Sequence, residues 1–152
     1  MLEVLPKVVE ATQNVILASA SLDFLIMMNV SLLSIQNMTW NGAQGFSSSP
    51  FSDKFFAPYN PTIVMSIDED LFDDYVPAIN VGLPAGGGYY GTTHTQRCLT
   101  YVVIDLASHE IPGYAPGSAF WVLELLLGRI NNLTQMGDFT TQSGNYTGNI
   151  SW

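Results

Sequence analysis

The sequence is poor in basic residues, with 4 Lys and Arg against 13 Asp and Glu among its 152 residues, and its formal net charge at pH 7 is -9. Nucleic-acid binding depends on clustered Lys and Arg side chains that neutralise phosphates. This composition therefore argues against a nucleic-acid partner. The chain also has a single cysteine, Cys98. A disulfide within the chain is excluded, and Cys98 is either a buried thiol or one half of a bridge to a cysteine elsewhere.

The sequence also lacks an uninterrupted apolar run of membrane-spanning length. Residues 15–33 are largely apolar, but Asp23 lies at their middle and Asn29 interrupts them again. A carboxylate at the centre of a bilayer costs about 3 kcal/mol, so we predict no membrane span. Residues 1–20 contain Glu3 and Glu10 and have no basic leader region, which is not typical of a signal peptide.

The apolar content is high, at 47%, and only 11% of the residues are charged, which is enough for one domain with a buried core. Glycosylation sequons N-x-[ST] occur five times, at Asn29, Asn37, Asn132, Asn145 and Asn149. Together they predict a secretory route, with the protein secreted or vacuolar. Because such a protein needs a leader, we expect these residues to belong to a longer chain.

The pattern of apolar residues predicts an α/β fold. A short amphipathic helix is expected over residues 6–12, followed by a buried strand at 15–18 and a polar loop at 19–23. A second strand is expected over 101–106, and a helix from Pro116 to a C-cap at Gly128. Residues 47–88 have no sustained period and are predicted to form an irregular excursion. The domain is expected to cover 1–130, with a polar, sequon-rich tail over 131–152.

Three short patterns in the sequence resemble cofactor or metal sites but lack features that such sites require. Gly86 to Gly91 fits G-x-G-x-x-G but no strand is predicted before it. The acidic run at 68–74 lacks the glycine and closing glutamate of a calcium loop, and is predicted to be a solvated face. His94 and Cys98 supply only two ligands, too few for a zinc site. No cofactor and no metal are therefore predicted.

Two reactive side chains follow the two predicted strands, Asp23 after the first and His109 after the second. Reactive groups in open α/β sheets gather at the carboxyl ends of strands. In α/β-hydrolases the catalytic triad follows the order nucleophile, acid, histidine. Asp23 and His109 occur in that order, but on spacing alone this is a weak signal, and a structural histidine is the more frequent explanation of such a pattern. The sequence contains no G-x-S-x-G nucleophile motif.

Four longer segments resemble the serine carboxypeptidases of the fungal type, and the resemblance covers nearly all of residues 2–130 outside the excursion. They are NMTWNGAQGF at 37–46, RCLTYV at 97–102, HEIPGYAP at 109–116 and LLGRI at 126–130. The resemblance implies an α/β-hydrolase fold and the removal of C-terminal residues from peptides by a Ser, Asp, His triad. Asp23 and His109 fall on the acid and the base of that family.

The resemblance also implies a role for Glu110, which stands where the family varies a residue that tunes substrate preference near the leaving group. Glu110 is thus a candidate substrate-binding residue, with a plain surface carboxylate as the alternative. Because the N-terminal two thirds of the family, with the nucleophile elbow, has no counterpart here, we expect the chain alone to be an inactive C-terminal fragment. The rival interpretation is a non-catalytic secreted glycoprotein, or pseudoenzyme, that keeps part of the hydrolase scaffold.

Overall fold

The computed structural model describes residues 3–58, 60 and 87–136. Helix α1 (Val4–Thr12) leads into strand β1 (Val15–Ala20), and helix α2 (Met28–Asn37) follows. A small hairpin is formed by β2 (Thr39–Trp40) and β3 (Ala43–Gln44), and strand β4 (Asp53–Ala57) comes next. Strands β5 (Gly88–Gln96) and β6 (Leu99–Ile104) precede two helices, α3 (Ile111–Tyr114) and α4 (Pro116–Leu126).

The main sheet has four strands in the order β1-β6-β5-β4. Strands β1 and β6 are parallel, in a register that pairs Val15 with Leu99 and Ala20 with Ile104. Strands β5 and β6 are antiparallel, as are β4 and β5. Because parallel strands end at the same edge of a sheet, the loops that follow β1 and β6 leave it side by side.

Strand β6 is buried along its whole length and separates two apolar clusters. Successive side chains of a strand point to opposite faces of the sheet. Accordingly, Val102 and Ile104 pack on the face that carries Trp121 of α4. Leu99, Tyr101 and Val103 pack on the other face, among residues of α1 and α2. Helices thus cover both faces of the β1–β6 pair, which fixes the loops at its end.

Both strands expected from apolar runs form, but β6 begins and ends two residues earlier than predicted. The predicted burial of residues 15–18 is wrong, because Val15 to Leu17 are half-buried and Ala18 is exposed. β1 extends two residues beyond its predicted end, so the polar loop begins at Ser21 rather than Ser19. The N-terminal helix is also confirmed and begins two residues early, with Pro6 inside its first turn. The helix at Pro116 is confirmed as well, and Gly128 just beyond it adopts a φ of 69°.

The predicted excursion at 47–88 is wrong in part, because it contains β4 and the first residue of β5. β4 places Phe55 and Ala57 in the core, although Asp53 and Lys54 are exposed. The acidic run at 68–74 lies outside the described residues. The tail boundary at 130 is also too early, since Leu133 is buried and its carbonyl accepts a hydrogen bond from Phe56 N–H at 2.9 Å.

Strand β5 was not predicted, and it contains four of the six residues of the G-x-G-x-x-G match. Gly91 in this strand has a φ of 144°, and a Cβ there would collide with the carbonyl oxygen of Val103 on β6. The glycine therefore permits the close approach of two strands. Within the described part of the chain, no helix is long and apolar enough to cross a membrane.

Candidate active site

Asp23 and His109 meet at the carboxyl edge of the β1–β6 pair. Asp23 lies in the loop after β1, here called the acid loop (residues 21–27), and His109 lies in the loop after β6, here called the histidine loop (residues 105–110). Asp23 Oδ2 and His109 Nδ1 are 3.0 Å apart. The structure therefore brings together the two reactive side chains that follow the two predicted strands.

The second carboxylate oxygen of Asp23 is held by the backbone of its own loop. Asp23 Oδ1 accepts hydrogen bonds from Leu25 N–H at 2.8 Å and from Ile26 N–H at 3.0 Å. The hydrogen bond from Ile26 is the main reason why the pKa of Asp23 lies below its ordinary value of 3.8. Burial opposes this shift, while the His109 imidazole and the Leu25 N–H add to it. Asp23 is thus a carboxylate that stays ionised and keeps a fixed orientation.

The geometry assigns roles to the two nitrogens of His109. Since Asp23 is ionised and can only accept, Nδ1 carries the proton and donates to Oδ2. Nε2 of the neutral ring is then left as an acceptor. The side chain of Asp23 is 8% exposed and that of His109 is 46% exposed. The carboxylate is therefore shielded from solvent, while the imidazole is accessible. An acid that holds a half-exposed imidazole in this tautomer is the arrangement that base catalysis by histidine requires.

A groove of about 310 Å³ runs beside the pair. Asp23 and His109 both line it, together with β1, the acid loop and α2, which contribute Ser19, Ile26, Val30, Ser31 and Ser34 among others. Ser34 Oγ donates to the Val30 carbonyl at 2.9 Å. Within residues 3–58, 60 and 87–136, no serine hydroxyl forms a hydrogen bond with His109.

Glu110 is exposed, next to His109 in the chain. Its backbone carbonyl accepts hydrogen bonds from Gly113 N–H at 2.9 Å and Tyr114 N–H at 3.2 Å at the start of α3. The groove is lined by His109 and Ile111 but not by Glu110. The Glu110 carboxylate is therefore free to face a molecule that approaches from solvent, outside the groove itself.

The other predicted sites lie away from the pair. Asn29, Asn37 and Asn132 are exposed, and Asn132 Oδ1 accepts hydrogen bonds from both the backbone N–H and the hydroxyl of Thr134, at 3.1 and 2.7 Å. Asn145 and Asn149 lie outside the described residues. Cys98 is a free thiol, partly exposed rather than buried, with its Sγ 3.0 Å from Gln13 Oε1.

Comparison with solved structures gives the class of the fold. The chain superposes on the crystal structure of a prohormone-processing carboxypeptidase from Saccharomyces cerevisiae with a TM-score of 0.57 and 20% sequence identity, over 88% of this chain and 24% of the other. With its mixed sheet and flanking helices, the chain has the α/β-hydrolase fold.

Sequence comparison then gives the family, although no family model matches the chain. It is 46% identical over 131 residues to the carboxypeptidase Y homolog of Arthroderma benhamiae. It is 39% identical over 132 residues to a probable serine carboxypeptidase of the same fungus, and 37% identical over 131 residues to serine-type carboxypeptidase F of Aspergillus niger. The chain belongs to the fungal serine carboxypeptidase family, as the resemblance implied.

These matches cover most of this chain but little of the relatives. The aligned residues make up 86% or 87% of the chain and only 22% or 23% of each of these three proteins. The chain thus spans less than a quarter of the length of the curated relatives that it matches, and it corresponds to their C-terminal portion.

Proposed function

We propose that this chain supplies the acid and the base of a serine carboxypeptidase, with Asp23 orienting His109. The observation that carries the proposal is the 3.0 Å contact between Asp23 Oδ2 and His109 Nδ1 at the end of two parallel strands. The family relationship supports a peptide as the substrate and the bond to the last residue as the one that is cleaved.

In this proposal the nucleophilic serine lies outside the 152 residues. The sequence has no G-x-S-x-G, and none of the serines that line the groove forms a hydrogen bond with His109. The relatives are more than four times as long as the aligned segment, which leaves ample chain to carry a nucleophile. The 152 residues alone are then expected to be inactive, and the rest of an α/β-hydrolase domain must face the groove.

The reaction divides among the residues as follows. His109 Nε2 takes the proton of the serine hydroxyl as that oxygen attacks the scissile carbonyl, and passes it to the departing amine. The acyl-enzyme is then hydrolysed by a water that His109 activates in the same way. Asp23 keeps the proton on Nδ1 and stabilises the imidazolium that forms in each step. Glu110, beside His109, would meet the leaving residue and attract a basic one.

We also infer a secretory route, ending in the vacuole or outside the cell. Its support is that Asn29, Asn37 and Asn132 are all exposed, as glycan attachment requires. An exposed sequon is necessary for modification and does not depend on catalysis. The inference therefore holds equally for an active enzyme and for the rival, a non-catalytic glycoprotein or pseudoenzyme built on the same scaffold.

The proposal is tested by joining this chain to the remainder of a related carboxypeptidase. In the carboxypeptidase Y homolog of Arthroderma benhamiae, the 131 aligned residues are replaced by those of this chain, which gives a protein that we name the graft. The graft is expected to hydrolyse an N-blocked dipeptide at acidic pH, and the 152-residue chain is expected not to do so.

Matched variants of the graft separate catalysis from folding. His109→Ala is expected to lower kcat by about 10⁴-fold or more. The exposed Asp53→Asn change on β4 should leave kcat unchanged. A folded graft that is inactive would favour the non-catalytic rival, and full activity of His109→Ala would refute the assignment of the base.

A further inference from the structure

Ser21 connects the acid loop to the histidine loop. Its backbone N–H donates to the Ile104 carbonyl at 2.9 Å, and its hydroxyl oxygen accepts a hydrogen bond from Leu106 N–H at 3.0 Å. The next residue, Leu22, donates its N–H to the Ala107 carbonyl at 3.0 Å. Three hydrogen bonds therefore join the loop of Asp23 to the strand end and loop that lead to His109, and only one of them uses a side chain.

The hydrogen bond from Leu106 N–H to the Ser21 hydroxyl stabilises an unfavourable backbone conformation at Leu106. Leu106 has a φ of 57°, in the left-handed region that a branched residue rarely adopts. Leu106 is 76% exposed, so packing does little to keep it in this conformation. The preceding residue, Asp105, is anchored by its N–H to the Tyr90 carbonyl at 2.7 Å. The Ser21 hydroxyl is the group that satisfies the Leu106 N–H in this turn.

The position of His109 depends on that turn. The imidazole is about half exposed and is held through its contact with Asp23. Small displacements of the histidine loop therefore change the distance from Nδ1 to Oδ2 directly. A hydrogen bond weakens steeply as its distance and angle leave the favoured range.

We propose that Ser21 is a positioning residue for the Asp23–His109 pair, which its hydroxyl aligns by fixing the histidine loop at Leu106. This proposal rests on the proposed function for its consequence in catalysis, but the alignment itself can be measured without activity. No pattern in the sequence marks Ser21, and the hydrogen bond of its hydroxyl goes to Leu106 rather than to Asp23 or His109.

The first test is NMR of the histidine rings in the 152-residue chain. The chain has two histidines, so buried His94, which contacts Phe46 and Ser48, serves as an internal reference for folding. Ring ¹⁵N shifts at about pH 8, where an ordinary imidazole is neutral, report which nitrogen carries the proton. His109 is expected to show the Nδ1–H form, and Asp23→Asn should abolish this preference.

Ser21→Ala is expected to lower the ratio of the Nδ1–H to the Nε2–H form of His109 about fivefold, because the hydrogen bond between Leu106 N–H and the Ser21 hydroxyl is lost. Ser21→Thr, which keeps the hydroxyl, should restore the ratio. Ser52→Ala, a matched change in an exposed turn, should not affect it. An unchanged ratio in Ser21→Ala overturns the positioning role. If Asp23→Asn also leaves the tautomer ratio of His109 unchanged, the proposed pairing of Asp23 with His109 is refuted instead.

Kinetics of the graft give a second readout that does not require the isolated chain to fold. Ser21→Ala is expected to lower kcat about fivefold with KM unchanged, and Ser21→Thr to recover it. An equal kcat for Ser21→Ala and the unmodified graft would contradict the proposal. So would a loss in Ser21→Ala that Ser21→Thr fails to recover.

Discussion

His109 Nδ1 and Asp23 Oδ2 lie 3.0 Å apart although 86 positions separate the two residues in the sequence. The contact arises because β1 and β6 are parallel neighbours, so that the two loops leave the sheet at the same edge. One oxygen of Asp23 faces the imidazole, and the other accepts two backbone N–H groups of its own loop. The loop therefore sets the direction from which the carboxylate meets His109.

These contacts predict a pH-dependent contribution of Asp23 to stability. The folded pKa of Asp23 lies below 3.8 and the unfolded pKa is near that value. The unfolded chain therefore takes up the proton first as the pH falls. The stabilisation is complete above about 3.8 and is lost as the pH falls through the folded pKa. Urea unfolding of the chain should show that the deficit of Asp23→Asn is largest near about pH 6 and shrinks in acid. A deficit that does not change with pH would contradict this linkage.

The acid loop and α2 present an apolar surface that this chain leaves open. It consists of six exposed side chains: Phe24, Leu25, Ile26, Met27, Val30 and Leu33. An exposed apolar patch of this kind usually marks an interface. In addition, among the described residues β1 pairs only with β6, so its other edge is unpaired. The rest of the hydrolase domain is expected to cover both features in the graft.

A single charge in this apolar surface should have opposite effects in the two proteins. Phe24, at 86% exposed, can accept a charge in the isolated chain, where Phe24→Glu should reduce self-association in sedimentation experiments. In the graft the same change should lower the melting temperature, because the charge is then buried. Leu127→Glu, at an exposed residue just beyond α4, serves as the control. A melting temperature unaffected by Phe24→Glu would mean that nothing covers the surface.

Glu110 gives a prediction for substrate preference. If its carboxylate faces the leaving residue, the graft should prefer dipeptides that end in Lys or Arg. Glu110→Gln is then expected to lower kcat/KM for these substrates about two- to fivefold, the size of an exposed ion pair, and to leave substrates that end in Leu unchanged. An equal loss for both kinds of substrate would show that Glu110 acts on His109 or on folding rather than on the leaving residue.

The sequence predicted the elements whose burial is evident in their composition. β6 is an apolar run that is buried along its whole length, as is typical of strands covered on both faces. β1 is also an apolar run, although only Ser19 and Ala20 at its end are buried. β4 begins with Asp53 and Lys54 and was missed because only two of its five residues are buried. β5 is rich in Gly and Thr, and its strand conformation depends on pairing with both neighbours rather than on its own composition.

The candidate site also contains residues that the sequence reveals and one residue that only the tertiary structure reveals. Asp23 and His109 could be found because each follows a predictable strand and matches a family pattern. Ser21 could not be found in this way. Its hydroxyl accepts a hydrogen bond from a backbone N–H that is 85 positions away, and such a contact depends on two loop conformations rather than on any residue pattern. The tertiary structure determines that Leu106 N–H donates to the Ser21 hydroxyl.

The secretory route predicts glycans at the exposed sequons. Expression of the chain through a fungal secretory pathway should give a heterogeneous mass that collapses on enzymatic removal of N-linked glycans. Asn132→Gln should remove one glycan, because Asn132 is exposed and its sequon partner Thr134 lies beside it. Thr134→Ala should have the same effect, since it removes the sequon without changing the asparagine. A single unmodified mass in all three proteins would contradict the proposed route.

The most direct test of the central claim is the kinetics of Asp23→Asn in the graft, with Asp53→Asn as the matched change. If Asp23 orients His109, Asp23→Asn leaves the loop in place but favours the wrong imidazole tautomer. In that case kcat is expected to fall about 10⁴-fold while KM changes little. A kcat within about tenfold of the unmodified graft, in a protein that unfolds at the same temperature, would show that Asp23 is not the acid of the triad.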